Sequence, residues 1–206
     1  MAVEKVAAPL WDTRYAGDGY AYGDEPNDFL RSQEPVLRAH VGEALCLAEG
    51  EGRNAVWLAG LGYRATAVDQ SAVGLAKAEG LATRAGVEIT TVHADLAEYD
   101  LGVERWELVV SIWCHLPPEL RRKVHAQVVR ALKPGGLLVL TAYTPGQPAR
   151  GTGGPSNPAM CMSVAGLREE LAGLEFVVAE ELVHEVHEGK YHNGVSEVVQ
   201  VVARKV

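Results

Sequence analysis

The chain has no apolar run approaching the ~18 residues of a membrane-crossing helix. Its first ten residues, Met1 to Leu10, hold Glu4 and Lys5 and lack the apolar stretch of a secretory signal. Cysteine is scarce: Cys46, Cys114 and Cys161 form no CxxC pair and leave an odd count, which excludes a disulfide framework and fits a reducing compartment. Clustered positive charge is scarce too. Arg121-Arg122-Lys123 is the one basic run, read as a solvated helix face, and a net charge of -8 argues against nucleic acid as a partner. No internal repeat, Ser/His/Asp triad or catalytic carboxylate pair stands out. These absences leave a soluble, cytoplasmic protein, monomer or homodimer, with a small-molecule substrate and no membrane partner.

What is present is enough for one core: 206 residues with 48% apolar content. Short apolar runs alternate with amphipathic stretches, the grammar of an α/β, doubly wound, mostly parallel sheet. Strands are expected at Ala44–Ala48, Ala65–Val68, Ile89–Val92, Leu108–Trp113 and Gly136–Tyr143. Helices are expected at Phe29–His40, at Gly52–Ala59, from Ser71 as N-cap to about Ala85, and from Pro117 to Leu132. Beyond Tyr143 comes a Gly/Pro-rich loop, a helix at Val164–Leu171, and two apolar runs, Phe176–Val183 and Val195–Ala203, that read as an antiparallel pair. Disorder is expected only in the first eight residues and around Pro145–Pro158.

Gly50-Glu51-Gly52-Arg53-Asn54-Ala55 fits G-x-G-x-x-A between a strand and a helix, and Asp69 ends the next strand. Glycines let backbone approach a ligand at a tight turn, and an acid at that strand tip accepts ribose hydroxyls. Dinucleotide oxidoreductases share this pattern. Glu49 and Glu51 tilt the balance, because two negative charges would repel a pyrophosphate and suit a cationic ligand. His93-Ala94-Asp95-Leu96 supplies a second strand-tip acid, placed to receive the amine of adenine.

Leu45 to Ala59 (LCLAEGEGRNAVWLA), Ala67-Val68-Asp69-Gln70-Ser71, His93-Ala94-Asp95-Leu96 and Leu132-Lys133-Pro134-Gly135-Gly136 resemble the ordered motifs of class I S-adenosylmethionine-dependent methyltransferases. Trp11-Asp12-x-Arg14-Tyr15, Tyr20-x-Tyr22-Gly23-x-x-Pro26-Asn27 and the closing hairpin make the chain most similar to the branch containing tellurite-resistance methyltransferases. The resemblance implies a Rossmann-like sheet of seven strands with the last one antiparallel, in a single domain. Within it, 1–43 covers the cofactor, 44–143 is the binding core, 144–162 a mobile loop, and 163–206 a helix and hairpin. It also implies that Gly50 and Gly52 pass under the methionine portion, Asp69 with neighbouring Gln70 meets the ribose, Asp95 and Leu96 frame adenine, and the backbone at Ile112 and Trp113 meets the methionyl end. Arg14, Tyr22 and Gly23 close over the cofactor, Arg14 facing its carboxylate. Two positions depart from the pattern: Cys46 stands where an acid is usual, and Ala48 replaces the first glycine, where a turn with negative φ is expected.

Methyl transfer from a sulfonium is an in-line displacement that needs alignment and exclusion of water more than a base. Candidate groups at the acceptor are His115, following the fourth strand, and His187 and His192 on the hairpin. Cys114 reads as a buried small side chain and Cys161 as a surface thiol. The spacing of His184, His187 and His192 matches no metal-ligand pattern, so no metal is expected. The acceptor expected is a thiol, a selenium or tellurium oxyanion, or a similar soft nucleophile. Two alternatives stay open: an NAD-dependent oxidoreductase, for which a Tyr-x-x-x-Lys pair is missing, and a non-catalytic domain that binds S-adenosylmethionine to regulate a partner.

Overall fold

A computed structural model describes residues 8–206; the first seven residues, most of the segment expected to be disordered, lie outside the described residues. Five parallel strands form the body of the sheet: β1 (Glu43–Leu47), β2 (Arg64–Asp69), β3 (Thr90–His93), β4 (Trp106–Ile112) and β5 (Leu132–Tyr143). β6 (Leu174–Glu188) and β7 (His192–Lys205) complete the order β3-β2-β1-β4-β5-β7-β6, and β7 runs antiparallel to β5 and β6. This is the seven-stranded Rossmann-like arrangement of the expectation. The helices are α1 (Ala8–Tyr15), α2 (Asp28–Ser32), α3 (Glu34–Leu37), α4 (Arg53–Gly60), α5 (Ala72–Ala85), α6 (Pro118–Ala131) and α7 (Val164–Glu170).

Alternation along each strand builds two cores. Leu45 and Leu47 of β1 face α6 and α7 with Val124, Val128 and Leu167, while Ala44 and Cys46 face α4 with Ala55 and Leu58. Strands buried on both faces therefore read as unbroken apolar runs. The crossover helices leave every β/α turn on one edge, where the sheet order reverses between β1 and β4.

Several boundaries differ from the sequence reading. Phe29–His40 is two short helices broken at Gln33, because Pro35 cannot donate to the ladder and its ring crowds the preceding turn. The hairpin strands run to Glu188 and from His192, because alternating Glu and His mask their pattern. Arg121 corrects the solvated-face reading of the basic run: it is nearly buried and grips Glu170 of α7 at 2.9 Å, beside His125 at 2.7 Å from the same carboxylate. Ala48 has φ 50°, against the expected negative value. Cys161 is buried, 4% exposed, against the surface reading.

A buried ion pair ties distant elements together. Arg53 at the start of α4 donates to Glu188 at the end of β6 at 2.6 Å, and both side chains are only 8% exposed. The other oxygen of Glu188 accepts from the Asn27 side-chain amide at 2.6 Å, and Asn27 also caps α2. The N-terminal segment is fastened by four more hydrogen bonds: Lys77 holds the carbonyls of Gly17 and Gly19, Glu51 accepts from the Ala21 amide, and Ser71 donates to Asp12.

Two outcomes are expected. Burial opposes the charge on Glu188 and Glu170, yet His192 and Arg53 hold the first at about 2, and His125 and Arg121 hold the second at about 2. Their folded values lie below the unfolded carboxylate value of about 4.3, so their stabilisation is complete above that pH and lost as pH falls towards 2. Thermal unfolding followed by circular dichroism should show this acid limb, and Glu188→Gln should remove part of it. Ala48→Gly should raise stability by about 1 kcal/mol by relieving left-handed backbone at a residue with a Cβ; an unchanged or lower urea midpoint would contradict this.

Candidate active site

The strand tips open into a cleft of about 1200 Å³. That exceeds the ~300–1,000 Å³ of a pocket for one drug-sized ligand, so two molecules fit side by side. The tips of β3, β2 and β1 form one end, the tip of β4 the middle, and the loop after β5 with the β6–β7 hairpin tip the other end.

At the first end Asp69 is 5% exposed, and its two oxygens accept from the backbone amides of Gly50 and Ser71, both at 2.8 Å. Burial raises its pKa and those amides counteract the rise. A carboxylate has about four acceptor sites, so these amides leave it capacity for a ligand hydroxyl. Gln70, Asp95 and Leu96 line the same end, with Asp95 accepting from the Ala97 amide at 2.9 Å.

The glycine loop is a scaffold more than a lining. Gly50 and Gly52 do not line the cleft: a Cβ at Gly50 would lie 2.5 Å from the Tyr15 hydroxyl, and one at Gly52 2.5 Å from Cβ of Ala78. The two glycines admit α1 above the loop and α5 beside it. Glu49 and Glu51 do line the cleft, but the charge argument made from them is corrected. One oxygen of Glu49 accepts from the Asn54 and Ala55 amides at 2.8 Å, the exposed donors of α4, and burial pushes its carboxyl up to about 7. Glu51 is paired with Lys77 at 3.0 Å. Their charge goes into the scaffold.

Arg14, Tyr22 and Gly23 line the cleft as well. Arg14 donates to the Tyr22 hydroxyl at 2.8 Å, and its guanidinium sits 4.6 Å from the Tyr191 ring centre. Among the described residues it has no carboxylate partner. Trp11, read as a core anchor, lies on the cleft wall and stacks on Tyr15 at 5.8 Å.

In the middle, Ile112, Trp113, Cys114 and His115 line the cleft. Trp113 has φ 57°, a left-handed conformation that a bulky residue holds only when its surroundings fix it. Its amide donates to the Thr141 carbonyl at 2.9 Å, its ring stacks on Tyr143 at 4.3 Å, and its indole N–H donates to Glu188. His115 completes the clamp: Nε2 accepts from the Tyr143 amide at 3.0 Å, which leaves Nδ1 to donate to the Trp113 carbonyl at 3.1 Å. Burial and nearby His192 lower its pKa to about 3. The reading of His115 as a general base is corrected on that ground, since both ring nitrogens are committed to backbone. Burial raises the Cys114 thiol to about 12, so it stays protonated.

The two hairpin histidines part company. His192 lines the cleft, edge-on to Trp113 at 4.8 Å and 4.7 Å from Tyr22, with Nδ1 buried 3.7 Å from Glu188. His187 is corrected: it points to the outer face, 65% exposed, and is held by Asn193 and Glu185. Odd and even positions of a strand face opposite sides. Sequence reading missed Arg53, Asn27, Glu188, Lys190 and Tyr191. Arg53-Asn54 directly after the glycines was the available signal, whereas nothing local marks Glu188.

Residues 44–136 match a family described as a methyltransferase domain. A search of curated protein sequences finds no match. Among solved structures, one described under the conversion of a disulfide bond into a thioacetal group during echinomycin biosynthesis is 20% identical, with a TM-score of 0.77 over 96% of this chain and 91% of that one. The N-methyltransferase NodS from Bradyrhizobium japonicum WM9, in complex with S-adenosyl-L-homocysteine, is 18% identical, with a TM-score of 0.67 over 96% of this chain and 97% of that one. TehB from Haemophilus influenzae is 19% identical, with a TM-score of 0.69 over 87% of this chain and 62% of that one. The matched stretch holds the glycine loop and both strand-tip acids, so this part of the chain resembles a methyltransferase domain, and the solved structures share its fold.

Proposed function

We propose that the enzyme methylates a small molecule whose acceptor atom is a soft nucleophile, a thiolate or a selenium or tellurium oxyanion. The observation that carries this reading is the state of the groups around Trp113. His115 is spent on backbone, Cys114 stays protonated, and burial lowers the basicity of His192. An alcohol needs a base to become a nucleophile, whereas a thiol of pKa about 8.5 ionises appreciably unaided. The description of the echinomycin structure also concerns chemistry at sulfur. That of the 1,6-didemethyltoxoflavin N1-methyltransferase from Burkholderia thailandensis, 22% identical, names a bound small-molecule acceptor, which supports the size class.

The residues fit the methyl donor. Asp69 would receive the ribose hydroxyls beside Gln70, Asp95 and Leu96 would frame the adenine, and Arg14, which has no carboxylate partner among the described residues, would meet the carboxylate of the methionyl end near the backbone of Ile112 and Trp113. Bound there, S-adenosylmethionine supplies an electrophilic methyl group on a sulfonium. The chain's own work is to align the acceptor and keep water out: Tyr22 and Trp11 roof the cleft, and the aromatic wall around Trp113 and His192 shields the acceptor end.

Turnover of labelled S-adenosylmethionine across benzenethiol, selenite, tellurite, an aliphatic amine and a phenol tests the acceptor class. Methylation of a chalcogen above both the amine and the phenol is expected; the reverse order would end the proposal. Asp69→Asn should weaken S-adenosylhomocysteine binding by about 1.5–3 kcal/mol in calorimetry, the range for a hydrogen bond to a charged group. Unaltered affinity would remove Asp69 from the site.

A further inference from the structure

We infer that the Trp113 indole is the surface that selects the acceptor, and that Glu188, reaching in from the hairpin, is the residue that positions it. The inference rests on the acceptor class proposed above and deepens it.

Trp113 stands at the tip of β4, in the middle of the cleft, between the end holding Asp69 and Asp95 and the end closed by the hairpin tip. Its backbone is left-handed at φ 57°. A bulky residue holds such a backbone only where its surroundings fix it. Here four contacts hold it: the Thr141 carbonyl, the His115 clamp, the Tyr143 face and the Glu188 carboxylate. The first three come from β5 and from the turn after β4. The fourth crosses 75 residues of sequence and ties the ring's own N–H to the hairpin.

Glu188 is suited to that task because it is itself immobilised. Arg53 and Asn27 hold its two oxygens at 2.6 Å each. The indole N–H therefore donates to an oxygen whose position the α4 terminus has set. An indole face so fixed offers a polarisable surface to the acceptor. Sulfur and its heavier congeners make favourable contacts with aromatic rings, which a hydroxyl oxygen or a neutral amine does not gain in the same way. Orientation matters as much as contact, since in-line displacement tolerates little misplacement of the acceptor atom.

Trp113→Phe, Glu188→Gln and the double variant test this, with the best acceptor of the panel and with S-adenosylhomocysteine. Each single change should lower acceptor kcat/KM by about tenfold while product affinity by calorimetry holds within about twofold. The double variant should be no worse than the worse single one, since both break one contact. Trp113 emission, taken as wild type minus Trp113→Phe, should shift in Glu188→Gln; this arm needs no acceptor. Additive losses, unshifted emission, or product affinity falling as far as acceptor kcat/KM would each overturn the inference. Should Glu188→Gln fail to fold, Trp113→Phe keeps the Arg53–Glu188 pair and decides alone: undiminished acceptor kcat/KM in it overturns the inference. If an amine or phenol wins the panel, the acceptor class falls, while the Glu188–Trp113 coupling is still scored on that acceptor.

Discussion

Glu188 and Arg53 are 135 residues apart in sequence and meet in a buried ion pair behind the cleft. Around that pair gather the end of the hairpin, the start of α4, the N-terminal segment through Asn27, and the β4 tip through Trp113. Each of these four elements contributes a wall of the cleft. The sheet alone would leave an open edge of strand tips; this network turns the edge into an enclosure.

Such a network is a poor device for stability. Removing two charges from water costs several kcal/mol per ion, and well-packed apolar residues of the same volume often do as well or better. Breaking one side is another matter, because the remaining charge is stranded. What the pair supplies is geometry. It holds an indole at a set angle and anchors the hairpin tip, where the Lys190 amide donates to the Ala21 carbonyl at 2.9 Å and closes the roof over the opening. The roof is fastened independently at its other end by Lys77, whose ammonium reaches Gly17, Gly19 and Glu51.

The parts legible in the sequence were those whose cause is local. Strands buried on both faces must be apolar throughout, so β1, β2, β4 and β5 stood out. Ser71 caps α5 with its side chain on the Gly74 amide, and that too is a three-residue affair. What could not be read depends on partners far along the chain. Glu49 and Glu51 are charges in a loop until the α4 amides and Lys77 are placed beside them. His187 and His192 are five residues apart, yet strand parity and the turn at Gly189 send one to solvent and the other into the cleft. Glu188, in the run Val186-His187-Glu188-Gly189, looks like any solvated hairpin acid. Ala48 misled for another reason: alanine tolerates φ 50° at a cost, and the tertiary fold imposes it.

Ala48 and Trp113 are the two strained non-glycine residues at adjacent strand tips, and both border the cleft. Together with a neutral, doubly committed His115, they describe a site whose stored distortion goes into placing groups and whose titratable side chains are kept from proton chemistry. Glu49 at about 7 caps a helix, His115 at about 3 clamps a turn, and Cys114 at about 12 stays a thiol. The ionised carboxylate against Trp113, Glu188, is already matched by Arg53 and Asn27. The reaction this cleft suits is one in which a cationic donor meets an acceptor that already carries its lone pair, so that charge is extinguished within the enclosure and the aromatic wall need only keep the two in line.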